Sequence, residues 1–312
     1  MENLLLSFNV ILPLFLCMAL GYFLRRIRML EPVSLKCLNK LCFKVFLPIY
    51  LFNNVYTTDI SAAFDGKLIT IAALGIIGLF IVLMVVIPRL EKENPRRGVM
   101  VQGIFRSNFA LFGLPVAISL CGEELVGPTA LLVGLMVPIF NIQAVIALES
   151  FRGGKPSLKK IVRGIVTNPL IIASMSGVVL NLLNVPIPTT VQKSLTDLGR
   201  VATPLSLVAL GGEFMFSSVR DYFKQLMIVL GGKLVIGPAI MIAIGALLGL
   251  RNETLIPIMI MFGAPTAVSS FPMAQQMEGD SDLAASIVVF TSIFAILTIF
   301  LWIFVLKQMA LI

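Results

Sequence analysis

The chain has 312 residues, 58% hydrophobic and 13% charged, with a mean hydropathy of +1.00. Soluble domains carry about 25% charged residues, and a water-soluble core stops growing before it can hide this much apolar surface, so lipid is the expected solvent. The formal charge of +8 does not point to nucleic acid, because Lys and Arg gather in short loops between apolar runs, with no basic face interleaved with aromatics.

The first apolar run, 4–24, has neither a basic stretch before it nor a small-residue cleavage site after it, and reads as a retained membrane span. Apolar runs bounded by charges and Pro/Gly follow at 37–56, 68–88, 99–120, 127–148, 161–183, 195–216, 224–249, 254–277 and 283–306. A span needs roughly 20 apolar residues, so ten spans use most of the chain and leave no room for a separate soluble domain. Alternate loops differ in charge. Arg25, Arg26, Arg28, Lys36, Arg89, Lys92, Arg96, Arg97, Arg152, Lys155, Lys159, Lys160, Arg163, Arg220 and Lys224 fall on one side, and only Lys67, Lys193, Arg251 and Lys307 on the other. The first group belongs in the cytoplasm, and an even number of spans then leaves both termini outside. Four separated cysteines (Cys17, Cys37, Cys42, Cys121) and no histidine offer no zinc or haem pattern, so no cofactor or metal is expected.

The two halves share their punctuation. At an offset of 156, Pro13, Gly21, Pro32, Pro48 and Gly75 match Pro169, Gly177, Pro188, Pro204 and Gly231; farther on, at an offset of 150, LFGLPVAIS (111–119) matches MFGAPTAVS (261–269). The chain therefore divides into 1–150 and 151–312, five spans each, and an odd number of spans inserts the second copy in the opposite direction. Arg25, Arg26 and Arg28 become Asn181, Leu182 and Asn184, as an outward-facing loop requires. Inverted repeats mark secondary transporters, whose sites lie near the midplane where discontinuous helices meet.

The fourth and ninth runs carry what a lipid-facing helix should not. Gln102, Arg106, Ser107 and Asn108 precede Phe112-Gly113-Leu114-Pro115, and Phe262-Gly263-Ala264-Pro265 precedes Thr266, Ser269, Ser270, Pro272, Gln275 and Gln276. Proline removes an N–H and clashes with the preceding turn, so each helix is expected to break near its Gly-x-Pro. Irregular backbone at that depth survives only inside protein or beside a water-filled cavity. Two helices crossing there would present N-terminal ends to an anion, with Asn108, Thr266, Ser269 and Ser270 as added donors; equally, these side chains could serve only the broken backbone.

RSNFALFGLPVAISLCGEE (106–124) and FGAPTAVSSFPMAQQMEGD (262–280), in a chain of this length, resemble the auxin efflux carrier family, which includes bacterial organic-acid permeases and plant auxin exporters. The resemblance covers essentially the whole chain. It implies ten helices in two inverted repeats and crossed proline-broken helices four and nine, with the crossover asparagine mapping onto Asn108 and the crossover prolines onto Pro115 and Pro265; Gly113, beside Pro115, is a further candidate for the substrate site. It also implies a homodimeric scaffold of spans one, two, six and seven, with spans three to five and eight to ten as a domain moving by an elevator-like mechanism. The short link at 150–160 departs from the plant exporters, lacks a long regulatory loop and suggests a bacterial inner-membrane protein.

Ionisable residues inside spans default to functional candidates. Lys233 stands where the first repeat has Ile77; it could meet a substrate carboxylate, stand in for a coupling cation, form an internal pair or snorkel. Arg106, on the cytoplasmic half of span four, is assigned a structural or access-path role. Asp197 and Arg200 are spaced to pair on one helix; Asn141 and Gln143 could line the cavity or bond between helices. The expected function is an all-α secondary carrier for a small organic anion, embedded in the bilayer, with no nucleic-acid partner. A channel or a solute sensor of carrier-like fold is the rival, and the absence of histidine, GxSxG and HExxH argues against an enzyme.

Overall fold

In the computed structural model, which describes residues 2–58, 65–121, 127–153, 158–215 and 218–312, regular structure is helical apart from one isolated β-bridge. The first repeat holds α1 (Glu2–Arg26), α2 (Pro32–Leu41), α3 (Leu47–Tyr56), α4 (Gly66–Leu90), α5 (Asn94–Phe105), α6 (Leu114–Cys121) and α7 (Gly127–Ser150). The second holds α8 (Leu158–Thr167), α9 (Pro169–Leu182), α10 (Thr189–Glu213), the short α11 (Ser218–Asp221), α12 (Phe223–Gly231), α13 (Gly237–Leu247), α14 (Leu255–Gly263), α15 (Ser270–Gln276) and α16 (Ser281–Gln308). Every apolar run of the sequence lies on one of these helices or on an interrupted pair.

Prolines decide how the interrupted pairs are joined. A π-helical turn at Cys42–Phe46 links α2 to α3 just before Pro48, and another at Gly232–Ile236 links α12 to α13 just before Pro238. A proline clashes with the carbonyl four residues back and gives it no N–H; one widened turn absorbs the clash without ending the helix. The freed carbonyl before Pro238 is that of Leu234, and the indole N–H of Trp302 donates to it at 3.0 Å. A third π turn, Phe109–Gly113, likewise precedes Pro115.

This corrects the expected position of the first break. Span four does not break at Gly113-x-Pro115, which lies in the helical stretch formed by the π turn and α6; it breaks earlier, after Phe105, where Arg106 turns extended (φ −74°, ψ 126°). Span nine does break at its proline. Ala264 is extended (φ −65°, ψ 153°), as the residue before a proline prefers. Span six is also less regular than expected: α8 and α9 meet at 59°, where Asn168 adopts φ −74°, ψ 122° ahead of Pro169 and caps α9 by accepting the Leu170 N–H at 2.9 Å.

Four helical stretches, Gly66–Leu90, Gly127–Ser150, Phe223–Leu247 and Ser281–Gln308, are long and apolar enough to cross a membrane among the described residues, with the α8–α9 pair as a fifth. Their outer faces are oily. Leu74, Ile81, Val82 and Val85 on α4, and Phe294, Leu297, Leu301 and Phe304 on α16, are exposed, an apolar surface that suits lipid. The protein is embedded in a membrane.

Two sets of helix contacts stand out. In one, α1 lies on α10 and α3 lies on α9 and α10; in the other, α5 meets α4 and α7, α13 meets α14, and α12 and α15 meet α16; α1 on α16 and α7 on α8 and α9 join the two sets. Small residues set the approach within the first group. A Cβ on Gly211 would lie 1.9 Å from the Met18 carbonyl oxygen, one on Gly21 2.0 Å from that of Val208, and one on Gly177 2.8 Å from that of Phe52.

Candidate functional site

The two breaks touch. Ser107 and Thr266 form an antiparallel bridge, and the Asn108 N–H donates to the Pro265 carbonyl at 2.8 Å. The Asn108 carbonyl in turn accepts the Phe112 N–H at 2.9 Å, so Asn108 opens the second half of span four as a helix N-cap does. Ser-Asn before an apolar run is the start signal that locates this break, and the nearby Gly-x-Pro drew attention away from it.

Between this contact and the first helix group lies a cavity of about 50 Å³. Leu47, Tyr50 and Leu51 of α3, with Thr203 and Ser206 of α10, form one wall. Arg106, Ser107 and Asn108, with Ala267, Val268 and Ser269 from the other break, form the opposite one; Val137, Phe140 and Asn141 of α7 complete the lining. Five of these side chains are buried yet polar: Arg106 is 3% exposed, Ser107 and Asn108 5% each, Asn141 1% and Ser206 0%. Among the described residues the Ser107 hydroxyl and the Asn108 Nδ2 have no hydrogen-bond partner, and buried polar groups without partners are rare enough to need a reason.

The expected site residues therefore separate. Asn108 and Ser269 line the cavity. Thr266 sits behind it with its bonds complete: its N–H donates to Thr291 Oγ1 at 3.1 Å and its hydroxyl to the Gly103 carbonyl at 2.7 Å. Pro265 contributes its carbonyl to the bridge. Ser270 is buried off the cavity; its carbonyl accepts from Gln102 Nε2 at 3.0 Å and its hydroxyl is unpartnered. Gly113 is a packing position, where a Cβ would come within 2.6 Å of the Phe109 ring and 3.3 Å of Ile260. Pro115 lies on α6, and its side chain falls outside the described residues. Lys233 is 1% exposed on the π turn of span eight, a turn that packs on α5, α14 and α16, and it is not among the residues lining the cavity; no carboxylate among the described residues pairs with it.

Arg106 is the residue that sequence reasoning placed elsewhere. Its Nη2 donates to Asn141 Oδ1 at 2.7 Å and to Ser269 Oγ at 2.9 Å, and its Nη1 reaches Met273 Sδ at 2.9 Å and Gln102 Oε1 at 3.4 Å. Asn141 passes the network on to Ser174 on α9, at 3.4 Å. Gln143 turns the other way, to the Ile76 carbonyl.

An all-helical membrane protein whose two interrupted helices meet beside a small cavity with buried polar groups in its lining has the build of a transporter. The sequence profile of the membrane transport protein family matches the chain twice, over residues 6–155 and 154–303, and the chain belongs to this family, that of the auxin efflux carriers. An uncharacterized transporter of Methanothermobacter thermautotrophicus is 25% identical over 307 residues, covering 95% of this chain and 97% of its own. A second, from Methanocaldococcus jannaschii, is 22% identical over 312 residues (96% and 98%). A Rhizobium meliloti protein provisionally named a malonate transporter is 22% identical over 299 residues, 93% of each chain.

Proposed function

We propose that the protein is a secondary carrier that moves a small organic anion by alternating access, with the substrate held between the two helix breaks and the α3–α10 wall. The single observation that carries this reading is the cavity itself: it joins the two helix groups and is lined by buried donors, Ser107 Oγ and Asn108 Nδ2, left unpartnered by the protein. Ten spans in two inverted repeats account for the pairing of α1 with α10 and of α9 with α3, which exchange with each other when the repeats are exchanged. Gly21 and Gly177, matched at the offset of 156, both sit at these close approaches. The topology also agrees with the ion pairs. Arg96 with Asp280, and Arg152 with Glu278, join loops that the charge alternation puts on the same, cytoplasmic, side.

On this reading the α1, α2–α3, α8–α9 and α10 group is the scaffold, by which two copies pair as a homodimer. The group of α4–α7 and α12–α16 moves across the bilayer of a bacterial inner membrane, carrying the crossing with it, and both termini face outside. The name of the Rhizobium relative agrees with a carboxylate as cargo. Purified protein in liposomes should take up one or more acids of a radiolabelled mono- and dicarboxylate panel saturably, and Asn108→Ala should lose that uptake. Uptake unchanged in Asn108→Ala removes the site from the crossing; binding without uptake turns the reading to a sensor.

A further inference from the structure

We infer that Arg106 is the counter-charge of the transported acid, and that the site takes one carboxylate of a short aliphatic acid. The inference rests on the carrier reading above and goes further by naming the group that recognises the cargo. Arg106 is buried to 3% exposure and lines the cavity. All four of its side-chain contacts are neutral: two amide oxygens, a hydroxyl and a thioether. No carboxylate among the described residues pairs with it. A guanidinium keeps its proton, and an isolated buried charge is costly until an opposite charge joins it.

The missing anion has a place to sit. Ser107 Oγ and Asn108 Nδ2, each without a partner and each on the cavity wall, stand next to Arg106 in sequence and supply two further donors. A carboxylate entering there gives the guanidinium the opposite charge that its neutral partners lack and satisfies the orphaned donors together. Charge and space then set the class of acid. Lys233 does not line the cavity, so one positive charge faces one negative charge. The cavity of about 50 Å³ is a third of the roughly 150 Å³ that holds a benzene ring, which favours a chain of a few carbons over an indole-sized acid.

Binding and uptake of acetate, pyruvate, malonate and indole-3-acetate by the purified full chain in liposomes test this, with the neutral amide of the best acid as comparison. Arg106→Gln should raise the half-saturating acid concentration by about 30-fold or more, the scale for removing one partner of a buried charge pair, and should erase the preference for acid over amide. Asn141→Asp is the second variant. It sets a carboxylate beside Nη2, where the Asn141 oxygen already lies at 2.7 Å, and should raise thermal stability while abolishing acid binding, because the counter-charge is then occupied from within. Folded variants that bind the acid as wild type does overturn the inference and leave the carrier standing; indole-3-acetate competing equally with the short acids overturns the size limit. Wild type that moves no acid overturns the carrier reading instead.

Discussion

Glu91 shows how one side chain can fix the end of a helix at the membrane surface. It follows α4, and its Oε1 accepts the N–H groups of Lys92 (2.7 Å) and Glu93 (2.9 Å) while Oε2 accepts from Gln225 at 2.6 Å, which ties the loop to α12. Burial pushes its carboxyl up, but those three hydrogen bonds and the nearby Arg96 charge outweigh burial and hold it below its usual value of 4.5. A carboxyl depressed in the folded state contributes stability that is complete above the unfolded value and is lost as pH falls through the folded one. Glu91→Gln should therefore cost about 1–3 kcal/mol at neutral pH, with a gap from wild type that narrows below about pH 4.5. Melting curves of both proteins at pH 7, 5 and 4 check this; a gap independent of pH would remove the charge from the explanation.

At the scale of helices, the account depends on how prolines and glycines are accommodated. Trp302→Phe should leave the Leu234 carbonyl without its donor and cost about 1–3 kcal/mol, read as a lowered melting temperature. Gly211→Ala should cost about as much or more, because its Cβ meets the Met18 backbone at 1.9 Å; Gly78→Ala, where nothing lies within 4 Å, should be neutral or stabilising. Equal effects at the two glycines would mean that close approach of α1 and α10 is unimportant. Much of this architecture is legible in the sequence, since apolar length, loop charge and Pro/Gly spacing are direct consequences of the bilayer. The first break was not. Proline promises a disruption but not its form: before Pro265 the chain leaves the helix, whereas before Pro48 and Pro238 it widens by one π turn and continues. At Pro238 a tertiary partner, Trp302, satisfies the freed carbonyl, which sequence spacing alone does not reveal. The position of Arg106 at the break is hidden for the same reason. Its distance along the chain from Pro115 suggested distance from the crossing, while the true break begins at Arg106 itself.

For the molecule as a whole, the packing has one group of helices held by backbone-close contacts and another built around the two breaks, with the cavity between them. The second group also has its own fastening on the side assigned to the cytoplasm. Asp280 caps α16 by accepting the Leu283 N–H at 3.0 Å and binds Arg96 at 3.2 Å, while the Arg96 guanidinium lies 5.1 Å from the centre of the Tyr222 ring. Burial and Asp280 push the Tyr222 hydroxyl up to about 12, so it stays neutral beside these charges. The groups also meet each other, α1 on α16 and α7 on α8 and α9, and a polar contact joins them on the side assigned to the cytoplasm: Glu213 of α10 accepts from Asn39 of α2 at 3.3 Å and, across the groups, from Gln275 of α15 at 2.6 Å.

The most direct test of the central claim, that substrate is carried by a site exposed alternately to each side, is counterflow. Liposomes containing the protein are preloaded with an unlabelled acid that it transports, diluted into a trace of the labelled acid, and followed over time. Alternating access predicts that label accumulates transiently above its equilibrium level and that Asn108→Ala abolishes the overshoot. A smooth approach to equilibrium with no overshoot, at the same rate with and without preloading, would contradict the carrier account and indicate a continuous pore.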